Sequence, residues 1–444
     1  MSSTSFFAAI AVLFGLTSVA AASVEVSARP QARPVDEIQT AQVTVQRSAR
    51  PRIRPDVSLP APVPEVTKVA SNPAGFGAWV KSFRRKARAA GITDRTYDLA
   101  FRNAAYDPDI VRRDRSQAEF TKILWDYLDK AVSDTRIRNG KAALRKYRTL
   151  LDRIEAKYGV DKEVVVAVWG LESSYGAIRG STPVIGAMAT LAYDGRRAKF
   201  FENELIHALR ILQSGVVSAS RFTGSWAGAM GHTQFMPSSY SAFAVDFDGK
   251  RGKDIWSDDP TDALASTAAY LSRNGWRKGT PWGVEVKLPK GFDYRLAKRS
   301  IKRMPSDWAK LGITDMSGKP VRDYGSASVL VPAGSQGAAF LIFKNFKVIE
   351  TYNTADAYVI AVGHLADRLR GGPGIKAKWP RGDRVLTFAE RKELQRRLKA
   401  LGLYSYNIDA KMGPLTIEAV RAFQMSRGMT PDGYPSLRIL QKLR

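Results

Sequence analysis

One stretch of this 444-residue chain suits acid–base chemistry and a second suits the close approach of a ligand. In the first, Asp161 to Gly176, an almost unbroken apolar run ends at Glu172, with Asp161 as the expected N-cap and Gly176 as the stop signal of one helix. Glu172 falls in the last turn, four residues after Val168, at the edge of the face such a helix buries. Burial and the negative end of the helix both disfavour an ionised carboxylate, which is what a general acid working near neutral pH requires. A capped, hydrogen-bonded structural glutamate is the alternative, and the residue alone supports either reading. The second stretch, Gly224 to Tyr240, is punctuated by glycines that let backbone approach a ligand closely, and Gln234 offers both a donor and an acceptor. Such a loop suits a saccharide groove, and equally a tight helix–helix contact.

The elements that must position these side chains read mainly as helices. Phe76, Trp79, Val80 and Phe83 follow the i, i+3, i+4, i+7 spacing of a buried helix face, so a folded domain is expected to start near Gly75. Helical patterns continue over Glu119–Val132, Ile137–Tyr158, Lys162–Ser174, Arg196–Leu212 and Asp262–Asn274. Val284–Leu288 alternates, Ser328–Pro332 is a short apolar run, and Ala339–Tyr352 is rich in β-branched and aromatic residues, which predicts a small β insertion before a last helix, Ala355–Leu369. Gly371 to Gly374 is a breaker cluster. Beyond it, 387–444 reads as a separate three-helix module with Leu394, Leu398, Leu401, Val420, Phe423, Leu437 and Leu440 as its core. The fold class is mainly α (α+β), and 73–374 is the expected main domain.

Composition narrows the chemistry. There is no cysteine and only three histidines, His207, His232 and His364, which argues against thiolate nucleophiles, disulfides and a histidine-rich metal centre. The net charge of +27, from 69 Lys+Arg and 42 Asp+Glu, points to a polyanionic partner. Residues 6–19 form an apolar core followed by Ala20-Ala21-Ala22, which reads as a secretory signal peptide over 1–22, without Lys or Arg ahead of it. Residues 23–72 are rich in proline and arginine and read as an extended, disordered linker. Export makes nucleic acid a poor partner and leaves a cell-wall polymer or membrane surface.

Glu172-Ser173-Ser174-Tyr175-Gly176, followed by Gly228-Ala229-Met230-Gly231-His232-Thr233-Gln234-Phe235-Met236-Pro237, resembles the lytic murein transglycosylase B family, over about Phe76 to Leu369. The module with Leu394, Gln395, Leu398, Gly402, Asp409, Gly413, Pro414, Phe423, Gln424, Asp432 and Gly433 is similar to the three-helix peptidoglycan-binding domain. It departs at Ala410-Lys411, where that domain usually has a glycine after the aspartate. The resemblance implies a lysozyme-like helical catalytic domain in which Glu172 is the single catalytic acid. It would cleave the bond between N-acetylmuramic acid and N-acetylglucosamine without water, leaving a 1,6-anhydro ring and needing no cofactor. It further implies that Ser225 touches the acetamido group, that Gln234 lines the groove, and that Tyr352, Asn353 and Tyr358 hold substrate near the acid. Tyr127, Arg196, Arg197 and Tyr270 match further saccharide or peptide contacts, and Phe200 stands where a groove tyrosine is common.

Asp246 to Asp254 resembles the calcium loop of some relatives, but Lys250 and Arg251 stand where a ligand and a turn glycine belong, so no metal is expected. A hydrolytic muramidase is the rival enzyme reading, with Asp194 as its second carboxylate; a non-catalytic wall-binding scaffold is the third. The expected partner is the peptidoglycan glycan strand, with proteins of cell-wall synthesis or division as further candidates. The expected state is a periplasmic monomer without a lipid anchor.

Overall fold

The helical period that begins at Phe76 runs through most of the chain, and its interruptions decide where the important side chains point. A computed structural model describes residues 73–115, 123–250 and 252–444. The expected leader (1–22), the linker (23–72), Arg251 and the start of the Glu119–Val132 helix lie outside those described residues. Helices α1 (Pro73–Ala89), α2 (Asp94–Phe101), α3 (Pro108–Arg115) and α4 (Leu124–Ala131) come first. The long helix expected over Ile137–Tyr158 is two, α5 (Asp134–Lys146) and α6 (Arg148–Tyr158). Tyr147 leaves helical geometry at φ −105°, ψ 23°, and its ring meets Trp169 edge-on at 5.6 Å. A tertiary contact thus overrides a continuous local pattern.

Helix α7 (Lys162–Ser173) is the centre of the catalytic-size domain. Val165, Val166, Ala167 and Val168 are each 0% exposed, because α7 is apolar on every side and neighbours surround it. Burying each of the valines contributes roughly 1.5–3 kcal/mol. Asp161 sits at the N-cap position, but its side chain makes no capping bond; it accepts instead from Trp276 Nε1 at 2.8 Å and pairs with Arg370 at 3.1 Å. Next come α8 (Val184–Asp194), α9 (Ala198–Gln213), α10 (Pro237–Phe243) and α11 (Thr261–Arg273). A two-stranded ribbon, β1 (Thr182–Pro183) with β2 (Thr223–Gly224), ties the chain after α7 to the loop before α10.

The β insertion is a four-stranded antiparallel sheet in the order β4-β3-β6-β5, formed by β3 (Gly283–Lys287), β4 (Thr314–Asp315), β5 (Ser328–Leu330) and β6 (Ala339–Ile342). Helix α12 (Pro305–Lys310) lies within it. Along β6, Phe340 and Ile342 join the helical core while Ala339 and Leu341 join a second core around Trp308, so the strand is buried on both faces. The expected strand-rich stretch Ala339–Tyr352 is therefore only partly a strand, since α13 (Lys344–Tyr352) follows directly. Its Phe346, Ile349 and Tyr352 recur every three residues and are buried, a helical period that the β-branched composition masked. Helix α14 (Asp356–Leu369) packs along α7.

The last module contains α15 (Phe388–Ala400), α16 (Pro414–Ser426) and α17 (Leu437–Leu443) around its own core. A capping box opens α15, with Thr387 Oγ1 accepting from Glu390 N and the Glu390 carboxylate accepting from Thr387 N. Leu394, Leu398, Val420, Phe423 and Leu440 are core residues as expected, but Leu401 is 51% exposed and Leu437 only partly buried. Leu401 is the C-cap of α15, where the chain turns away from the core.

Candidate active site

Three consecutive residues, Ser174 (φ 51°), Tyr175 (φ 62°) and Gly176 (φ 87°), adopt the left-handed conformation directly after α7, so the helix ends before the glycine expected to stop it. Each non-glycine residue in that region costs about 1–3 kcal/mol. Several contacts hold the turn. The Tyr175 side chain packs against Gly140 and Gly170, where an added Cβ would lie 2.5 Å from its hydroxyl and 2.7 Å from its ring. Its hydroxyl donates to Arg136 O at 2.7 Å. Ser173 Oγ donates to His232 O at 2.5 Å and accepts from Gly176 N at 2.9 Å, which ties the two sequence motifs together. Gly176 cannot carry a side chain, because its Cβ would fall 2.5 Å from His232 Nδ1.

His232 is a packing histidine. Trp169 Nε1 donates to its Nδ1 at 3.2 Å, and its Nε2 donates to Ser257 O at 2.8 Å, which fixes the neutral tautomer. Burial lowers its pKa and supports the same form. In the loop that follows, Met230 and Phe235 exchange backbone hydrogen bonds of 2.8 and 3.0 Å around Gln234, itself left-handed at φ 55°. Gln234 Nε2 donates to Arg179 O and Gly231 O, so the amide ties the loop after the first motif to the second motif itself. Ser225 opens a tight turn, its Oγ accepting from Ala229 N at 3.0 Å. Glu204 secures the far end of the loop, accepting from Ser238 N at 2.9 Å and Ser238 Oγ at 2.7 Å. Burial pushes its carboxyl up to about 7, against the two Ser238 bonds. The sequence reading passed over Glu204. A glutamate among Phe201, Leu205 and Ala208 on the buried face of α9 was the available signal.

Glu172 emerges half-buried from this turn, and Tyr358 Oη donates to its Oε1 at 2.7 Å. The Tyr352 ring lies nearly parallel to Tyr358, at 6.5 Å and 9°. Its hydroxyl donates to Thr233 O at 2.6 Å, and burial, with the nearby charge of Glu172 adding to it, holds the phenol well above its ordinary range. Of the expected groove tyrosines, Tyr270 (0%), Tyr352 (2%) and Tyr358 (3%) are thus all inside the core, Tyr270 donating to Thr351 O at 2.7 Å. The Tyr270 and Tyr352 rings meet edge-on at 5.0 Å. Asn353 is half-buried, its Oδ1 accepting from Ala355 N at 3.0 Å in the corner between α13 and α14.

Tyr127, on α4, is half-buried against the main core. Arg196 and Arg197 both engage the buried Asp114, with Arg196 Nε at 2.6 Å, and Arg197 also stacks on Phe201 at 4.7 Å. The two arginines are anchored side chains and not merely solvated ones. Asp194 pairs with Arg115 at 2.6 Å, and its side chain is 1% exposed. A carboxylate so enclosed is poorly placed to activate water beside Glu172.

One carboxylate oxygen from each of Asp246 and Asp248, in the loop after α10, and Asp262, in the first turn of α11, lies within 4.8 Å of the others. Asp262 accepts from Phe247 N and Asp254 N, and burial raises its pKa to about 6, with the charges of Asp246 and Asp248 adding. Lys250 Nζ lies 3.4 Å from Asp248, a cation supplied by the chain itself.

With a helical core, a lone glutamate at the end of its central helix and a phenol on that glutamate, the chain belongs to the transglycosylase family defined by the SLT domain, which it matches over residues 75–367. Residues 389–443 match the putative peptidoglycan-binding domain. The fold is accordingly the mainly helical, lysozyme-like one of that family with a peptidoglycan-binding domain attached. The chain is 34% identical over 246 residues to the membrane-bound lytic murein transglycosylase B of Escherichia coli, spanning 54% of this chain and 65% of that protein. It resembles the crystal structure of SltB3 from Pseudomonas aeruginosa in complex with NAG-anhNAM-pentapeptide, with TM-score 0.81 and 46% identity over 83% of this chain and 99% of that one. It also resembles Escherichia coli Slt35 in complex with calcium, with TM-score 0.57 and 28% identity over 67% and 93% of the two chains. No helix among the described residues is long and apolar enough to cross a membrane.

Proposed function

We propose that this protein is a lytic transglycosylase that cleaves the β-1,4 bond between N-acetylmuramic acid and N-acetylglucosamine in peptidoglycan. The observation that carries the reading is the Tyr358–Glu172 hydrogen bond of 2.7 Å, which aims one carboxyl group out of an apolar helix. Glu172 gives its proton to the glycosidic oxygen as the C1–O bond breaks, with the muramoyl acetamido group assisting. The ionised Glu172 then takes the proton of the C6 hydroxyl as O6 bonds to C1, so the ring closes to the 1,6-anhydro product and the acid is regenerated. One carboxylate serves as acid and then as base, and the burial of Asp194 disfavours the hydrolytic alternative.

Ser225, Gln234 and Asn353 are assigned to the groove, Tyr127, Arg196 and Arg197 to its flanks, and Tyr352 and Tyr270 to bracing Tyr358 and the Gln234 loop. The domain reading is a leader over 1–22, a linker over 23–72, a catalytic domain over 73–374 and a wall-binding domain over 387–444. We place the protein in the periplasm as a monomer without a lipid anchor, a chain with no cysteine having none to acylate. Proteins of wall synthesis or division would be its neighbours there; recovery of the protein only in detergent extracts would count against the placement.

Mass spectrometry of fragments released from purified sacculi tests the reaction. Products ending in 1,6-anhydromuramic acid, absent with Glu172→Gln, are expected. Reducing ends heavier by one water would replace the reading with a muramidase, and no release with a wall-binding scaffold. We also propose that the Asp246–Asp254 loop takes no calcium, Lys250 standing on Asp248. The melting temperature is expected to be the same with millimolar calcium as with a chelator, and a rise with calcium would overturn this.

A further inference from the structure

Beside the β-sheet lies a cleft of about 640 Å³ whose lining includes five cationic side chains, Arg277, Arg299, Lys302, Lys344 and Lys347, and one carboxylate, Glu350. Arg299 and Lys347 are engaged by Glu350 at 2.5 and 2.6 Å, and Arg299 also pairs with Asp356. Arg277, Lys302 and Lys344 form no ion pair among the described residues. Three unpaired positive charges around one cavity repel each other, and a bound anion relieves that repulsion.

The cleft is held in shape before anything binds. Asn345 is 0% exposed; its Oδ1 accepts from Arg277 N at 2.9 Å, and its Nδ2 donates to Arg277 O at 2.8 Å and Thr280 O at 2.7 Å. A buried amide therefore clamps the loop carrying Arg277 against the start of α13, where Lys344 stands. Arg299 lies over the Phe346 ring at 5.1 Å. Its two carboxylate partners come from the same two helices as the active site: Glu350 is two residues before Tyr352, and Asp356 two residues before Tyr358, which holds Glu172.

We propose that this cleft receives the free carboxylates of the peptide branch carried by the glycan that Glu172 cleaves. The assignment rests on the reaction proposed above. An extended pentapeptide spans roughly 17 Å, so its far carboxylates can be bound well away from the sugar to which it is attached. Charge selects the peptide over the sugar backbone, whose hydroxyl and acetamido groups are neutral.

The test compares Glu172→Gln with Glu172→Gln carrying Arg277→Ala, Lys302→Ala and Lys344→Ala, each as the full chain, by calorimetric titration. The ligands are NAG-NAM-pentapeptide, the same molecule with its peptide carboxylates amidated, and NAG-NAM without peptide, its lactyl carboxylate capped as the amide. Affinity for the free-acid pentapeptide is expected to fall about tenfold in the triple variant, the combined effect of three exposed ion pairs. Amidation is expected to cause a similar loss against the unmodified cleft, and the triple variant to bind the amidated and peptide-free ligands as its parent does. Unchanged affinity for the free acid, an equal loss for NAG-NAM, or no measurable binding of the pentapeptide ligand would each overturn the proposal. Titration needs no turnover, so failure of the parent enzyme to release anhydro products would remove the proposed reaction while the cleft would still be decided.

Discussion

Of the turns that hold non-glycine residues left-handed, the one at Ser174 and Tyr175 after Glu172 and the one at Ala410 in the C-terminal module are held by different means. At Ala410 a single buried side chain does the work: Gln395 Oε1 accepts from Ala410 N at 2.8 Å while its Nε2 donates to Asp409 at 2.9 Å. The module repeats the device with Gln424, Asp432 and Gly433, where the residue after the aspartate is a glycine at φ 74°. The alanine is thus a local departure within a repeated turn, and the turn keeps its shape. After Glu172, by contrast, the strained pair is held by contacts from several elements, including Arg136, Gly140 and Gly170, and Ser173 carries the link on to His232. Strain that serves only a turn needs one neighbour, whereas strain that aims a carboxylate has been built into the core.

The largest effect expected from breaking this comparison is chemical. Glu172→Gln should lower the rate of anhydro-product release by about a thousandfold, within the 10²–10⁴-fold range of a general acid–base group, with the melting temperature little changed. Kinetics and thermal melts on the same preparation separate the two. Loss of the fold would mean that Glu172 is a structural residue after all.

Next is Gly176→Ala. The added Cβ would meet His232 Nδ1 at 2.5 Å and the backbone would be left-handed, so a loss of about 2–4 kcal/mol is expected in denaturant melts, together with reduced activity. On the other side of the comparison, Gly433→Ala would press on Ile417 at 2.7 Å and should destabilise the C-terminal module while leaving cleavage of soluble fragments intact.

The two domains also differ in whether a buried group that holds a loop, Glu204 on Ser238 in one and Gln395 on Ala410 in the other, can titrate. Glu204 carries a carboxyl and Gln395 an amide. Because burial raises the Glu204 pKa to about 7 from 4.5, the folded protein retains a proton over that window which the unfolded chain has lost. Its contribution is complete below 4.5 and is lost as pH rises through 7. The stability of the native protein relative to Glu204→Gln should therefore fall between pH 5 and pH 8, by on the order of 2 kcal/mol. A constant difference across that range would show that Glu204 does not change protonation.

How much of this was legible in the sequence follows from the range of the interactions involved. The apolar run of α7 announces both the central helix and the place of Glu172, because a continuous buried segment is a local signal. The Ser173–His232 bond, the Gly140 and Gly170 platform under Tyr175, and the burial of Tyr270 and Tyr352 depend on residues far apart in the chain, which periodicity cannot register. The break at Tyr147 has the same origin, a ring drawn to Trp169. Lys344–Tyr352 was misread for a different reason: its composition favours a strand, and burial of Phe346, Ile349 and Tyr352 against the core outweighs that preference.

The smallest expected effect discriminates the two turns most directly, since one substitution can be made in both. Glycine removes the cost of a left-handed backbone, so Ala410→Gly and Ser174→Gly should each recover about 1 kcal/mol of backbone strain, less the greater entropy of the unfolded glycine chain. At Ala410 the Gln395 bond to the backbone remains, and the expected result is a small rise in the melting temperature of the C-terminal module with binding to sacculi unchanged. At Ser174 a glycine frees the backbone two residues beyond Glu172, where a fixed dihedral helps keep the carboxyl aimed at its target. A several-fold fall in kcat without loss of stability is expected there. Equal kinetic behaviour of the two variants would mean that the network around Ser173 and Tyr175 positions Glu172 whatever residue occupies 174, and that the left-handed serine contributes no more to the reaction than Ala410 does.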